Sequence, residues 1–178
     1  MYNTRLYNKN IIVNDLPIKS GDRVLDLGSG RQGYFTFTAA KLAGDKGKVW
    51  AVDKDNLAVD NIDSLAKLYN YYNVRAVKGN IETLDQLYFD DESVDVILLT
   101  NVLSELRKQN ELLANIYRIL RKKGHLFIVD WAKNDFPNAP RNVLDQNLLK
   151  TDIRDNYYTI LKELVPGDKH YGLVAMKH

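Results

Sequence analysis

The 178-residue chain contains no cysteine. That single absence excludes disulfides, thiolate metal sites and cysteine nucleophiles. Histidine is scarce at 3 residues, so a zinc site built on imidazoles is not expected either. With 4 Pro and 10 Gly, the chain lacks the composition of a disordered or low-complexity polymer. No apolar run in it approaches the ~18 residues of a membrane span. Met1–Asn10 is polar and holds no hydrophobic signal core, which predicts a cytoplasmic protein. Neither sign of charge dominates: 25 Lys and Arg against 23 Asp and Glu leave a net +2. Composition therefore gives no reason to expect nucleic acid or a membrane as partner.

What is present fits one α/β domain. Apolar residues make up 45% of the chain, with 11 Tyr, 5 Phe and 2 Trp among them. That is enough for a full core in a domain of ~100–200 residues. No repeat or linker divides the sequence, so residues 1–178 read as one domain, with residues 1–15 a candidate part of a substrate lid. Short apolar runs recur at Val24–Leu27, Lys48–Val52, Val74–Val77, Val94–Thr100 and His125–Val129. Nearly continuous Val, Ile and Leu suits strands covered on both faces, as in a parallel sheet. Between them lie helical stripes: Tyr34–Leu42; Ala58, Ile62, Leu65, Ala66 and Tyr69; and Leu112, Leu113, Ile116, Ile119 and Leu120. This alternation predicts a doubly wound α/β sheet. The C-terminal end departs from it. Tyr157–Val165 and Tyr171–Lys177 are separated by only Pro166–His170, too short for a crossover helix, so the two strands are expected to be antiparallel neighbours.

Gly28-Ser29-Gly30-Arg31-Gln32-Gly33 follows the first expected strand and opens the first expected helix, and Asp53 closes the next strand. Glycines there let backbone and ligand approach closely, and a carboxylate at that distance reaches ribose hydroxyls. Two nucleoside ligands fit the layout, a nicotinamide or flavin dinucleotide and S-adenosylmethionine. Asp26 favours the second. A carboxylate at the strand mouth is ill placed beside a pyrophosphate but suits an ammonium group. The carboxylate of a methionine moiety can in turn meet N–H groups at the helix start.

Arg23–Gly30 resembles the first signature of the Rossmann-like, class I S-adenosylmethionine-dependent methyltransferases. Further segments line up in order: Val52-Asp53, Gly79–Glu82, Asp95–Leu106 and Ile119–Trp131. Pro166-Gly167 with His170–Gly172 resembles the terminal hairpin of small relatives of the ubiquinone/menaquinone-biosynthesis type. The resemblance implies a single Rossmann-like, mostly parallel seven-stranded sheet ending in an antiparallel hairpin. Its implied cofactor is S-adenosylmethionine. Asp26 with Gly28, Ser29 and Gly30 is then expected at the methionine end. Asp53 would accept both ribose hydroxyls, with the stem of Lys54 beside the nucleoside. Asn80 would accept from the adenine amino group and the Ile81 N–H would donate to the ring. Asn101 would stand beside the methionine moiety and the methyl group. The sequence departs from the family in three places. Gln32 stands where many relatives carry a third Gly, with Gly33 one place later, so two paths of the loop stay open. Asn80 replaces an Asp, keeping an acceptor but no charge. Ser104-Glu105 stands where close relatives often carry His.

Methyl transfer from a sulfonium needs alignment and desolvation more than a triad or a metal. Trp131, ending strand five, and His170, at the hairpin tip, are the candidate substrate residues, His170 against the reading of an exposed turn histidine. Asn134–Pro140 is a candidate cover for the acceptor, against that of an ordinary connection. His125 and His178 read as structural. Arg121-Lys122-Lys123 reads as the dipole-complementing end of a helix, and Tyr69, Tyr71 and Tyr72 as a helix end packed on the sheet. The expected reaction is methylation of a small-molecule acceptor by in-line displacement. The alternatives are a dinucleotide-binding oxidoreductase or sensor, and a non-catalytic S-adenosylmethionine-binding module.

Overall fold

A computed structural model describes residues 13–106, 109–132, 140 and 142–178. Seven strands form one sheet: β1 (Arg23–Leu27), β2 (Lys48–Asp53), β3 (Val74–Lys78), β4 (Val94–Thr100), β5 (Leu120–Trp131), β6 (Tyr158–Gly167) and β7 (His170–Lys177). The helices are α1 (Tyr34–Ala43), α2 (Asn56–Leu68), α3 (Gln109–Ile119) and α4 (Gln146–Asp155). Strand order is β3-β2-β1-β4-β5-β7-β6. The first five strands are parallel, and β7 runs antiparallel to both β5 and β6.

The near-continuous apolar strands follow from cover on both faces. On one face Val24, Val49, Val96, Leu98, Phe127 and Val129 pack with Phe35 and Ala39 of α1 and Ile62 and Ala66 of α2. On the other, Leu25, Leu27, Ile97, Leu99 and Ile128 pack with Leu112 and Ile116 of α3 and Leu149 and Ile153 of α4. Asp55 caps α2 through Leu57 N at 3.0 Å. Asp145 caps α4 through Asn147 N at 2.7 Å and Leu148 N at 3.0 Å, each satisfying amides left free by the first turn.

The sheet and its terminal hairpin are as the sequence predicts, with four corrections of detail. The helix α3 ends at Ile119, so Leu120–Lys123 opens β5 instead of closing a helix. Register jumps from Val94↔Leu120 to Val96↔His125, and the extra residues bulge outward, with Lys123 left-handed at φ 58°. Arg121 there is fixed by Asp95 at 2.5 Å. The hairpin connection is only Asp168-Lys169, with Gly167 paired to His170. A register shift between Leu164 and Gly167 carries β6 past Pro166, which has no amide to give to the ladder. The helix α4, short and polar on its outer face, was not expected. Of the three tyrosines, only Tyr71 packs inward, on Phe37 at 5.3 Å; Tyr69 and Tyr72 are exposed.

Candidate functional site

The chain leaves β1 toward α1 on one face of the sheet and leaves β4 toward α3 on the other. Because β1 and β4 are neighbours, their loops diverge and open a crevice at the carboxyl ends of the strands, where open α/β sheets bind ligands.

The glycine-rich loop lies at this crevice. Gly28 N and Ser29 N donate to Val52 O at 2.8 and 3.1 Å, which pulls the loop across the end of β2. Gly28, Gly30 and Gly33 are left-handed, at φ 81°, 66° and 55°, a region that side chains with a Cβ rarely adopt. The three glycines serve different ends. A Cβ on Gly28 would overlap Val102 Cγ1 from the β4 loop, and one on Gly33 would overlap Ile62 of α2. At Gly30 nothing lies within 4 Å, so this is where backbone is open to a ligand. Gly33, not Gln32, is the third glycine of the loop, placed where α1 starts against α2.

Asp26 is fully buried, and Thr36 Oγ1 donates to its Oδ2 at 2.6 Å. Burial pushes its carboxyl up to about 6, against the opposing Thr36 hydrogen bond, with Asp53 adding to the rise. Its Oδ1 has no protein partner. The buried Ser29 Oγ and Asn101 Oδ1 also lack one. Buried polar atoms are ordinarily paired, so these three mark a place for a polar ligand.

Asp53 gathers the neighbouring backbone. Its Oδ2 accepts from Gly30 N and its Oδ1 from Asp55 N, both at 2.9 Å. A carboxylate has about four lone-pair directions, which leaves acceptor capacity for hydroxyls. Lys54 is exposed and reaches Glu105 at 3.8 Å. Asn80 Oδ1 accepts from Glu82 N at 3.0 Å, so part of its acceptor capacity already closes the turn after β3. Ile81 follows it at the start of a 3-10 segment, Ile81–Leu87.

Across the crevice, Asn101 follows β4 with φ 55°, and its N–H donates to Val129 O at 2.8 Å. Trp131 and His170 are register partners where β5 ends and β7 begins. Their rings lie 4.1 Å apart at 35°, with relative exposures of 8% and 3%. His170 is therefore not an exposed turn residue. Burial pushes its imidazole down to about 4, so it is neutral at pH 7. His125 lies inside β5, and His178 Nε2 meets Thr159 Oγ1 at 2.6 Å. The candidate acceptor cover at Asn134–Pro140, except Pro140 itself, lies outside the described residues, as does residues 1–12 of the candidate lid.

The structure adds ties that the sequence does not show, although the sequence places Asp130 with Trp131 at the ligand-side end of strand five. Arg31 of the glycine-rich loop pairs with Asp55 through Nε at 3.0 Å and Nη2 at 2.9 Å, and Asn61 Nδ2 donates to Arg31 O at 2.7 Å. Asp130 is buried beneath the β4 loop and accepts Leu103 N and Trp131 N, each at 2.8 Å. Asp53 and Asp55 sit two apart, a spacing that could have signalled a strand-end carboxylate followed by a helix cap. For Asp130, sequence shows only Asp-Trp closing an apolar run.

The donor and acceptor set fits S-adenosylmethionine: a buried carboxyl oxygen for an ammonium, a second carboxylate for hydroxyls, and open backbone at Gly30. Among the described residues no group of His, Asp and Glu could hold a metal ion, and no helix is long and apolar enough to cross a membrane. A family model described as "Methyltransferase domain" matches residues 18–165. An arsenite methyltransferase of Aquipseudomonas alcaligenes is 37% identical over 114 residues, 62% of this chain and 33% of that protein. A ubiquinone/menaquinone biosynthesis C-methyltransferase of Marinomonas sp. is 29% identical over 130 residues, 72% of this chain and 50% of that protein. The chain thus spans a third to a half of these curated relatives. In fold it is similar to a crystal structure of a SAM-dependent methyltransferase from Aquifex aeolicus. The TM-score is 0.84 at 23% identity, covering 97% of this chain and 91% of that one.

Proposed function

This chain belongs to the class I, S-adenosylmethionine-dependent methyltransferases, and from that premise we propose that it methylates a small molecule by in-line displacement. The observation that carries the reading is the crevice between β1 and β4, where Asp26 Oδ1, Ser29 Oγ and Asn101 Oδ1 are buried without protein partners. When bound, S-adenosylmethionine supplies a methyl group on a sulfonium that is already activated to leave. Asp26, Gly28, Ser29 and Gly30 hold the methionine end, with Asp26 as a carboxylate against the ammonium. Asp53 accepts the ribose hydroxyls, with Lys54 beside the nucleoside. Asn80 and the Ile81 N–H receive the adenine, and Asn101 stands at the methyl group.

Trp131 and His170 flank the acceptor end. A base is most useful when its pKa lies near the working pH, and the imidazole of His170, at about 4, is too weak for that role. The protein's main contribution is then orientation and exclusion of water. Relatives named for arsenite and for ubiquinone/menaquinone biosynthesis support a small acceptor. Arsenite itself fits poorly, because trivalent arsenic is a soft centre and the chain has no thiol to hold it. The dinucleotide alternative gives way to the family match.

The test is calorimetric titration with S-adenosylmethionine, S-adenosylhomocysteine and NAD, followed by transfer from [methyl-³H]S-adenosylmethionine to panels of small molecules. The first two ligands should bind and NAD should not. Binding without transfer to any panel member, in the presence of cell extract as well, would leave the non-catalytic module as the better reading.

A further inference from the structure

The geometry points to Asp130 as the positioning residue of the methyl-donor site, acting through the turn that carries Asn101. This rests on the reading that Asn101 faces the methyl group. Three observations meet here. First, Asn101 occupies a left-handed conformation, φ 55°, which costs free energy for a residue with a Cβ, though least for Asn, and which the surroundings here hold in place. Its own side chain does not do so, since Asn101 Oδ1 has no protein partner. Second, the enforcement comes from β5. Val129 O takes Asn101 N at 2.8 Å, and Asp130 Oδ2 takes Leu103 N at 2.8 Å, so both sides of the turn are anchored on consecutive residues of one strand. The other oxygen, Oδ1, is tied to Trp131 N at 2.8 Å, which fixes the carboxylate itself. Third, the residue between the anchors, Val102, fills the space beside Gly28, where a Cβ would overlap its Cγ1. The position of this turn therefore sets both the Asn101 oxygen and the contact with the glycine-rich loop.

Asp130 is only 1% exposed, so its acceptor capacity serves the β4 loop, where the Ser104 side chain and the Val102 amide also face it, and not a ligand. It touches neither cofactor nor acceptor. A carboxylate is required because both oxygens must accept. In Asp130→Asn one oxygen becomes an NH₂ donor facing a backbone N–H, and one anchor is lost while size and shape are kept.

The experiment needs no acceptor. Each variant is titrated with S-adenosylmethionine and S-adenosylhomocysteine, and the methyl resonance of bound [methyl-¹³C]S-adenosylmethionine is recorded, with ligand-free melts as the control for folding. In Asp130→Asn the methyl ¹H and ¹³C shifts should move most of the way to those of Asn101→Ala, while cofactor Kd stays within about threefold. The double variant should match Asn101→Ala, because residues acting through one another are not additive. If Asp130→Asn does not fold, Asp130→Ser, whose hydroxyl still accepts from one amide, takes its place with the same expectation. A wild-type methyl signal in the folded Asp130 variant, or displacements that add in the double variant, overturns the proposal for Asp130. A wild-type signal in Asn101→Ala instead overturns the underlying placement of Asn101 at the methyl group.

Discussion

The two sides of the crevice use the same device to different ends. At the β1–β2 side Asp53 accepts two backbone amides, Gly30 N and Asp55 N. At the β4–β5 side Asp130 also accepts two, Leu103 N and Trp131 N. Asp53 is only part-buried and keeps lone pairs toward the crevice, whereas Asp130 is sealed beneath its loop. The surroundings follow suit. Arg31 and Asp55 beside the first are 63% and 40% exposed, while Trp131 and His170 beside the second are core residues by exposure. An open carboxylate can both shape a loop and bind a ligand. A closed one can only shape the loop.

The largest combined loss, of the fold and of cofactor binding together, should come from the point where the two sides touch. Gly28→Val adds branching carbons at φ 81° against Val102, and should cost about 2–4 kcal/mol of stability through backbone strain and overpacking. Cofactor binding should fall below detection. The clash is with the β4 loop, not with the ligand, so a lowered melting temperature must accompany the loss. Gly30→Ala is the contrast. Its Cβ meets no protein atom, so the fold should lose only the strain of φ 66°, roughly 1 kcal/mol. Yet binding should suffer strongly, because the open space there belongs to the ligand. Equal melting temperatures for the two variants would erase this division of labour between the glycines.

Trp131→Ala comes next and probes the closed side alone. Removing a nearly buried indole packed against His170 should cost about 3–5 kcal/mol, read in a denaturant melt. Cofactor Kd should stay within about threefold, since the ring belongs to the acceptor end. Comparable damage to cofactor affinity in the folded variant would move Trp131 out of that role. Asp53→Ala probes the open side, with the opposite pattern. Charge-assisted hydrogen bonds of roughly 1.5–3 kcal/mol each, part-replaced by water, predict a loss of about tenfold to a few hundredfold in S-adenosylmethionine affinity. Asp53→Asn should lose less affinity and melt nearer to wild type than Asp53→Ala, which also leaves Gly30 N and Asp55 N without their acceptor at a cost of roughly 1 kcal/mol. Full-strength binding by folded Asp53→Ala would remove the ribose assignment.

The contrast also decides what could be read from the sequence. On the open side the chemistry is carried by residue types at fixed spacing. Glycines with positive φ and an acidic strand end are visible as letters, and Asp26, Gly28, Gly30 and Asp53 all converge on the crevice. On the closed side the information is tertiary. The turn at Asn101 is held by β5, which is distant in sequence, and no local pattern near Asn101 announces Asp130. His170 shows the same limit. A residue after Pro-Gly-Asp-Lys reads as a loop tip, but the shift in β6 shortens the connection to Asp168-Lys169 and pulls the ring into the core against Trp131. The helix α4 escaped notice because few of its residues are apolar, and its burial rests on Leu149 and Ile153.

A pH titration tests the buried group of the open side. In the ligand-free protein the Asp26 carboxyl is raised to about 6, chiefly by burial. A folded pKa above the unfolded one stabilises the fold at low pH, and this contribution is lost as pH rises through about 6. The cofactor's ammonium favours the carboxylate, so binding below that pH releases a proton. S-adenosylmethionine affinity should be highest between about pH 6.5 and pH 7.5 and fall by about fivefold between pH 6 and pH 5. Calorimetry in buffers of different ionisation enthalpy should show nearly one proton released at about pH 5 and close to none at about pH 7. The thermal shift given by the cofactor should grow over the same interval. A flat profile would mean that Asp26 does not face the ammonium.

The smallest effect belongs to Arg31, and it sharpens the comparison most directly because Arg31 is the open side's counterpart to the closed anchor. Its guanidinium takes Asp55 in two hydrogen bonds, and its carbonyl accepts from Asn61. Together these tie the glycine-rich loop to the start of α2, next to the Asp53 carboxylate that Gly30 N and Asp55 N already share. The Asp55 carboxyl lies below the usual carboxylate range, held there first by the Arg31 hydrogen bond. Both side chains are solvated, however, and exposed pairs contribute little because water and salt compete for each partner. Arg31→Ala should therefore weaken S-adenosylmethionine binding by only about two- to fivefold, and the difference from wild type should shrink at high salt. The loss should disappear in an Asp53→Ala background if the pair acts by presenting that carboxylate. Asp130→Asn should respond differently: its displacement of the bound methyl signal should be the same at low and high salt, since a sealed carboxylate is little screened. A salt-independent loss of affinity in Arg31→Ala would show instead that the exposed pair works as a rigid structural tie, and the two sides of the crevice would then differ in exposure but not in mechanism.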